Sequence, residues 1–266
     1  MRAQRSLQSV RASYSPVSTT RKCHIVREVF EQAGRYLEKR RYDIRIRAET
    51  VKAMADGLEF SRILDIGCGD GSISLPLLRL GRHLTLLDFS SSMTAIARSN
   101  VPQHLAASID VRNEDFTTAE FAEHSFDLII CIGVMAHVDS PDRLLHKIYQ
   151  LLKPNGAVIL EFTDAYHPVS WIRRSAKALR RLVATPRYPV NLFSFRRVQT
   201  LLAKHHFRLF SLFCYGLPYY FGLDKSLTQE TRYAMVRRIF GSYQRPRNRC
   251  LGNEYICVLK AGDAES

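Results

Sequence analysis

The chain has 266 residues, 46% of them apolar, and a formal net charge of +14. That length supplies one large domain with a sizeable core; no apolar run is long enough to span a membrane, and the start lacks the apolar segment of a signal peptide. The basic balance, dominated by arginine, points to an anionic partner: an acidic small molecule, a phospholipid surface or nucleic acid. Six cysteines without a Cys-x-x-Cys pair indicate neither a zinc framework nor a redox motif, and suit a reducing compartment.

Residues 1–20 are rich in Ser and Arg and hold no acid. They are expected to be a disordered tail, although the same composition resembles a mitochondrial presequence. Ile25, Val29, Phe30, Ala33, Tyr36 and Leu37 repeat at helical spacing and predict a helix over 24–42. Val51, Met54 and Leu58 predict a second over 46–58. A short apolar run, 63–66, then reads as a buried parallel strand, followed by Gly67, Gly69 and Gly71. A helix is expected from Ser72, carrying Ile73, Leu75, Leu77 and Leu78. Glycines let the backbone turn sharply and let a ligand approach closely. The spacing differs from the dinucleotide fingerprint Gly-x-Gly-x-x-Gly, because the third glycine arrives one residue early. Asp65 would repel a pyrophosphate and attract an ammonium group, directly or through water, so the loop suits a zwitterionic ligand.

The second strand, 83–87, ends in Asp88, 23 residues after Asp65, near the spacing of an acid that takes ribose hydroxyls. Serines 90–92 offer a cap for the helix that follows. A third strand from Ile109 ends in Glu114-Asp115-Phe116, and a fourth runs 126–131 into Cys131-Ile132-Gly133-Val134-Met135-Ala136-His137. A helix over 144–152 is stopped by Pro154 and Gly156, and a fifth strand follows over 157–162. Residues 163–191 form an insertion whose stretch around Trp171 alternates apolar and basic residues, as an amphipathic helix does. Its partner is solvent, a membrane surface or an acidic substrate. A helix over 195–205 capped by Ser194 leads to strand six, 207–215. A second insertion, 216–252, carries Tyr219, Tyr220 and Phe221 and a helix over 228–243, and strand seven closes the chain over 254–260.

Strands alternating with helices predict an α/β, doubly wound sheet. The run 65–71, with Asp88 and the segments to Phe162, resembles the class I S-adenosylmethionine-dependent methyltransferases. The resemblance implies a seven-stranded, mostly parallel Rossmann-like sheet with strand seven antiparallel. It makes 21–60 an N-terminal helical lid and 61–266 the methyltransferase domain with its two insertions. It implies S-adenosyl-L-methionine as cofactor, held by Asp65, Gly67, Cys68, Gly69, Asp88, Phe89, Met93, Asp115, Phe116, Cys131 and Ile132; Met93 is equally a core position. The acceptor would meet Tyr36, Tyr42, Tyr166, Trp171 and Tyr219, with Arg45, Glu161, Asp164 and His167 as further contacts.

Methyl transfer from a sulfonium asks mainly for positioning, and a hydroxyl acceptor gains from a general base. His137 is placed for that role by the resemblance. No metal constellation stands out. The expected activity is methylation of an oxygen or nitrogen on a small, anionic or amphiphilic molecule by a monomer or homodimer in the cytoplasm, with mitochondria as the alternative. An RNA methyltransferase would explain the charge, but no Asn-Pro-Pro-Tyr motif or RNA module is present, so nucleic acid is disfavoured. A non-catalytic cofactor-binding scaffold is the remaining alternative.

Overall fold

The computed structural model describes residues 31, 33–170, 191–216 and 227–262. The 1–20 tail, the start of the first expected helix, the basic stretch with Trp171, and Tyr219 lie outside the described residues. Helix α1 (Ala33–Ala55) leads into a seven-stranded sheet, β1 (Arg62–Ile66), β2 (His83–Asp88), β3 (Ile109–Asn113), β4 (Phe126–Cys131), β5 (Leu152–Thr163), β6 (Phe207–Tyr215) and β7 (Glu254–Ala261). Between the strands lie α2 (Ser91–Asn100), α3 (Pro141–Leu151), α4 (Phe195–Lys204) and α5 (Gln229–Phe240).

Strand order is β3-β2-β1-β4-β5-β7-β6. β1 to β5 pair in parallel, and β7 runs antiparallel between β5 and β6. The mostly parallel sheet with an inverted seventh strand is therefore as expected. Alternate strand residues feed two cores. Ile63, Leu84, Leu86, Leu128 and Ile159 pack with Ile46 and Met54 of α1 and Phe240 of α5. Leu64, Ile66, Leu87, Ile129 and Leu160 pack with Leu145 and Ile148 of α3 and Leu202 of α4. Each such side chain contributes about 1.5–3 kcal/mol on burial, which is why the buried strands read as near-continuous apolar runs.

Helix starts follow side-chain caps. Ser90, Ser140, Ser194 and Thr228 each accept the amide three residues on, from Met93, Arg143, Arg197 and Thr231. Three elements differ from expectation. β5 begins at Leu152, so Pro154 and Gly156, expected as helix stops ahead of the strand, lie within it. The two N-terminal helices are one continuous α1. The apolar stripe lapses at Asp43 and Arg47 because these polar residues sit on the buried face, 0% and 8% exposed. The helix expected from Ser72 is replaced by a single 3₁₀ turn, Leu75–Leu77. Pro76 supplies no amide for a longer helix, and Gly71 (φ +79°) and Gly81 (φ +82°) bracket the segment.

β1 and β4 are neighbours at the centre of the sheet, and the chain leaves them toward opposite edges. Ligands of open α/β sheets bind outside the carboxyl ends of strands at such a switch point.

Candidate active site

A cavity of about 380 Å³ opens at the carboxyl ends of β1, β2 and β4, roofed by α1. Its floor is the glycine loop. With no helix below it, the loop is held by β2: Gly67 and Cys68 donate to the Leu87 carbonyl at 2.8 and 3.0 Å, and Gly69 N donates to Asp88 Oδ2 at 2.9 Å. Gly67 has φ +68°, and a Cβ there would stand 2.5 Å from Val134 Cγ2. Conformation and space both demand glycine at that point.

Asp88 closes β2 and lines the cavity. Its second oxygen, Oδ1, accepts from Ser90 N at 2.9 Å. Burial pushes its carboxyl up, while the Ser90 and Gly69 amides pull it back. Each carboxylate oxygen retains a lone pair for a further donor. Phe89, Met93, Asp115, Phe116 and Ile132 line the cavity with it. The Asp115 turn is pinned twice: Asp115 Oδ1 accepts from Thr117 N at 2.8 Å, and Lys147 Nζ donates to the carbonyls of Phe116 (2.6 Å) and Ala119 (2.5 Å). Sequence reasoning passed over Lys147, because only the fold brings α3 under this loop.

Gly67, Cys68, Gly69, Asp88, Phe89, Met93, Asp115, Phe116, Ile132, Tyr36 and His137 thus meet at one cavity. Others of the expected site residues stand elsewhere. Asp65 is 2% exposed within β1, and its carboxylate takes the Ser74 hydroxyl at 2.5 Å. It is not among the residues lining the cavity and lies behind the glycine loop. Burial pushes its carboxyl up to about 7, with Ser74 opposing and Asp88 and Asp70 adding to the rise. Cys131 is fully buried within β4, in the core shared with α3. Tyr42 turns into the core between α1 and the sheet. Tyr166 is exposed, on a turn whose amides at 166 and 167 donate to Asp164 Oδ1.

His137 lies on the loop after β4, its amide donating to the Val134 carbonyl at 2.8 Å. Asn191, which the sequence reading did not single out, fastens this loop through its amide to Ala136 O (2.8 Å) and its Nδ2 to Val138 O (2.6 Å). The cavity's α1 wall includes Tyr36, Leu37, Ile44 and Arg47. Arg47 Nε donates to Glu161 Oε1 on β5 at 2.8 Å. Behind α1, Glu49 accepts from Tyr233 OH at 2.8 Å and from Arg237, both on α5. The second insertion therefore braces the roof.

Residues 64–160 match a family model described as Methyltransferase domain. Over that stretch the chain is similar to methyltransferase domains. Among curated relatives, a ubiquinone biosynthesis O-methyltransferase of Actinobacillus pleuropneumoniae is 29% identical over 152 residues, 55% of this chain and 61% of that protein. Its namesake from Alkalilimnicola ehrlichii is 34% identical over 117 residues, 43% and 46% of the two chains. The chain thus matches less than two thirds of the length of these relatives. A possible histamine N-methyltransferase from Thermotoga maritima superposes with TM-score 0.63 at 19% identity, covering 90% of this chain and 99% of that one. A magnesium protoporphyrin IX methyltransferase from Synechocystis, solved with bound SAH, gives TM-score 0.60 at 17% identity over 90% and 98%. These structural likenesses are of fold. Among the described residues no helix is long and apolar enough to cross a membrane.

Proposed function

We propose that this protein is an S-adenosylmethionine-dependent methyltransferase acting on a small molecule. The observation that carries the reading is the pairing of Asp88 with a glycine loop whose positive-φ turn a Cβ would fill, at the switch point of the sheet. Asp88 would take the ribose hydroxyls, Phe89 and Met93 would pack on the adenosine, and Asp115 with the Phe116 amide would receive the adenine edge. Gly67, Cys68 and Gly69 would border the amino-acid end, with Asp65 and Cys131 shaping that end from behind. When bound, the cofactor supplies an electrophilic methyl group. The names of the curated relatives favour an oxygen acceptor. For such an acceptor His137 would hold the proton released from the hydroxyl, as a neutral imidazole can near neutral pH. Cys68, Cys131, Cys214, Cys250 and Cys257 are free thiols, which supports a reducing, cytoplasmic setting.

Titration calorimetry with S-adenosylhomocysteine tests this. Binding to the full chain should weaken by about 2 kcal/mol in Asp88→Ala, the size of charge-assisted bonds to buried groups. Unchanged affinity in that variant would remove Asp88 from the cofactor site.

A further inference from the structure

His137 stands on a stretch with no helix or strand of its own, residues 132–139, between β4 and the capped start of α3. A side chain on such a stretch is placed only as well as the stretch is tied down. Part of the tie is internal. The His137 amide donates to the Val134 carbonyl, and Met135 is 1% exposed in the core shared with α3. A further tie comes from one residue far along the chain, Asn191.

Asn191 N donates to Ala136 O at 2.8 Å. Its Nδ2 donates to Val138 O at 2.6 Å and, over a longer distance, to Met135 O at 3.4 Å. A carboxamide carries two N–H donors and the backbone a third, so every donor of Asn191 goes to a carbonyl that brackets His137. Ala at this position would keep the backbone bond alone. Asp would keep the shape but turn an anion toward the same carbonyls.

Asn191 is itself held. Two residues on, Phe193 is 4% exposed. Its carbonyl accepts from Ala165 N at 2.8 Å, and it forms a bridge with Asp164 just past β5. Ser194 then caps α4. The short segment 191–193 thus joins the stretch after β4 to the stretch after β5.

We propose that Asn191 is a positioning residue for His137, fixing where the imidazole stands in the cavity by tying the stretch after β4 to the end of β5. The use of that imidazole as a base rests on the methyltransferase reading above; the tie itself does not. A general base has to lie within hydrogen-bond reach of the proton it takes, and a misplacement of about 1 Å can cost most of a catalytic group's effect. His137 lines the cavity from a stretch without regular structure, so its reach depends on such a tie. Asn191 also ends the insertion 163–191, which is expected to meet the acceptor, so the same bonds connect those surroundings to the base.

The test is NMR of isotope-labelled histidine in the full chain without cofactor, with His137 assigned as the signal lost in His137→Ala. The parent should give one sharp His137 signal. Asn191→Ala removes both Nδ2 bonds. It should broaden or split that signal and speed acylation of His137 by diethyl pyrocarbonate about fivefold or more, with the other histidine signals in place. A merely structural Asn191 would lower the melting temperature and leave the His137 signal and its acylation rate as they are; that outcome in a folded variant overturns the proposal. Hydrogen exchange on the parent gives a second reading that needs no variant. Peptides covering 134–139 and 191–193 should open together, at rates within about twofold, and independent opening also overturns the proposal. Near-normal turnover in His137→Ala would instead refute the base and leave the tie standing.

Discussion

The two ends of the cavity are built differently. The end under β1 and β2 is made by contiguous stretches of chain: Gly67 to Gly69, Asp88 to Met93, and Asp115 with Phe116. Much of its polarity is backbone, with one carboxylate organising two amides of the same rim. The end under α1 is lined by Arg47 and Gly133, and behind Arg47 lies a buried, charge-balanced network with Glu161, Tyr215 and Asp43 from distant elements. A ligand that must be the same in every turnover suits the first design. The second can change its preference by exchanging one side chain, at the cost of a buried charge that has to be matched.

Breaking each end should therefore give a different kind of failure. The largest effect is expected from Gly67→Val. A β-branched residue at φ +68° whose Cβ overlaps Val134 is a severe outlier, and S-adenosylhomocysteine binding should fall below calorimetric detection. Next is Arg47→Met, which leaves Asp43 and Glu161 buried without their shared cation. Removing one partner of a buried pair costs about 3–5 kcal/mol, read by urea unfolding at neutral pH. The loss should shrink as pH falls, because burial raises the Glu161 carboxyl, which then folds protonated. His137→Ala follows: turnover per folded molecule should drop about a hundredfold with cofactor affinity unchanged, the usual weight of a general base. A near-normal rate in a stable variant would leave positioning alone and point to an amine acceptor.

A pH-dependent effect sharpens the comparison from behind the glycine loop. Burial holds the Asp65 carboxyl up at about 7 in the folded chain, against about 3.9 when unfolded. The folded state thus binds the extra proton. The contribution of Asp65 to stability is complete below the unfolded value and is lost as pH rises through about 7. Asp65→Asn fixes the neutral form. Between pH 4 and 7 its stability should fall less steeply than the parent's, by up to about 1.4 kcal/mol per pH unit. Parallel slopes would place the charge of Asp65 outside the folding equilibrium.

The same contrast explains what could be read from the sequence. The strands and the serine caps follow from local period and turn chemistry, whereas the inverted last strand and the grouping of Gly67, Asp88 and Asp115 came from the family resemblance. The helix after the glycine loop was expected on apolar spacing alone, and Pro76 overrode it. The buried network behind the α1 end was barely legible because its members lie up to 172 positions apart, as with Tyr215 and Asp43. Two signals did point there. Asp43 and Arg47 stand one turn apart on an otherwise apolar stripe, and Glu161 interrupts an apolar run in a strand paired on both sides. A charge in either place has to be matched from elsewhere in the fold.

The most direct measurement titrates S-adenosylhomocysteine into the folded parent, Asp88→Ala and Glu161→Gln under one set of conditions. One equivalent should bind the parent. Affinity should fall about thirtyfold in Asp88→Ala and stay within twofold in Glu161→Gln. A folded parent that takes up no ligand, or a Glu161→Gln that loses as much as Asp88→Ala, would contradict a cavity whose cofactor and acceptor ends are built independently.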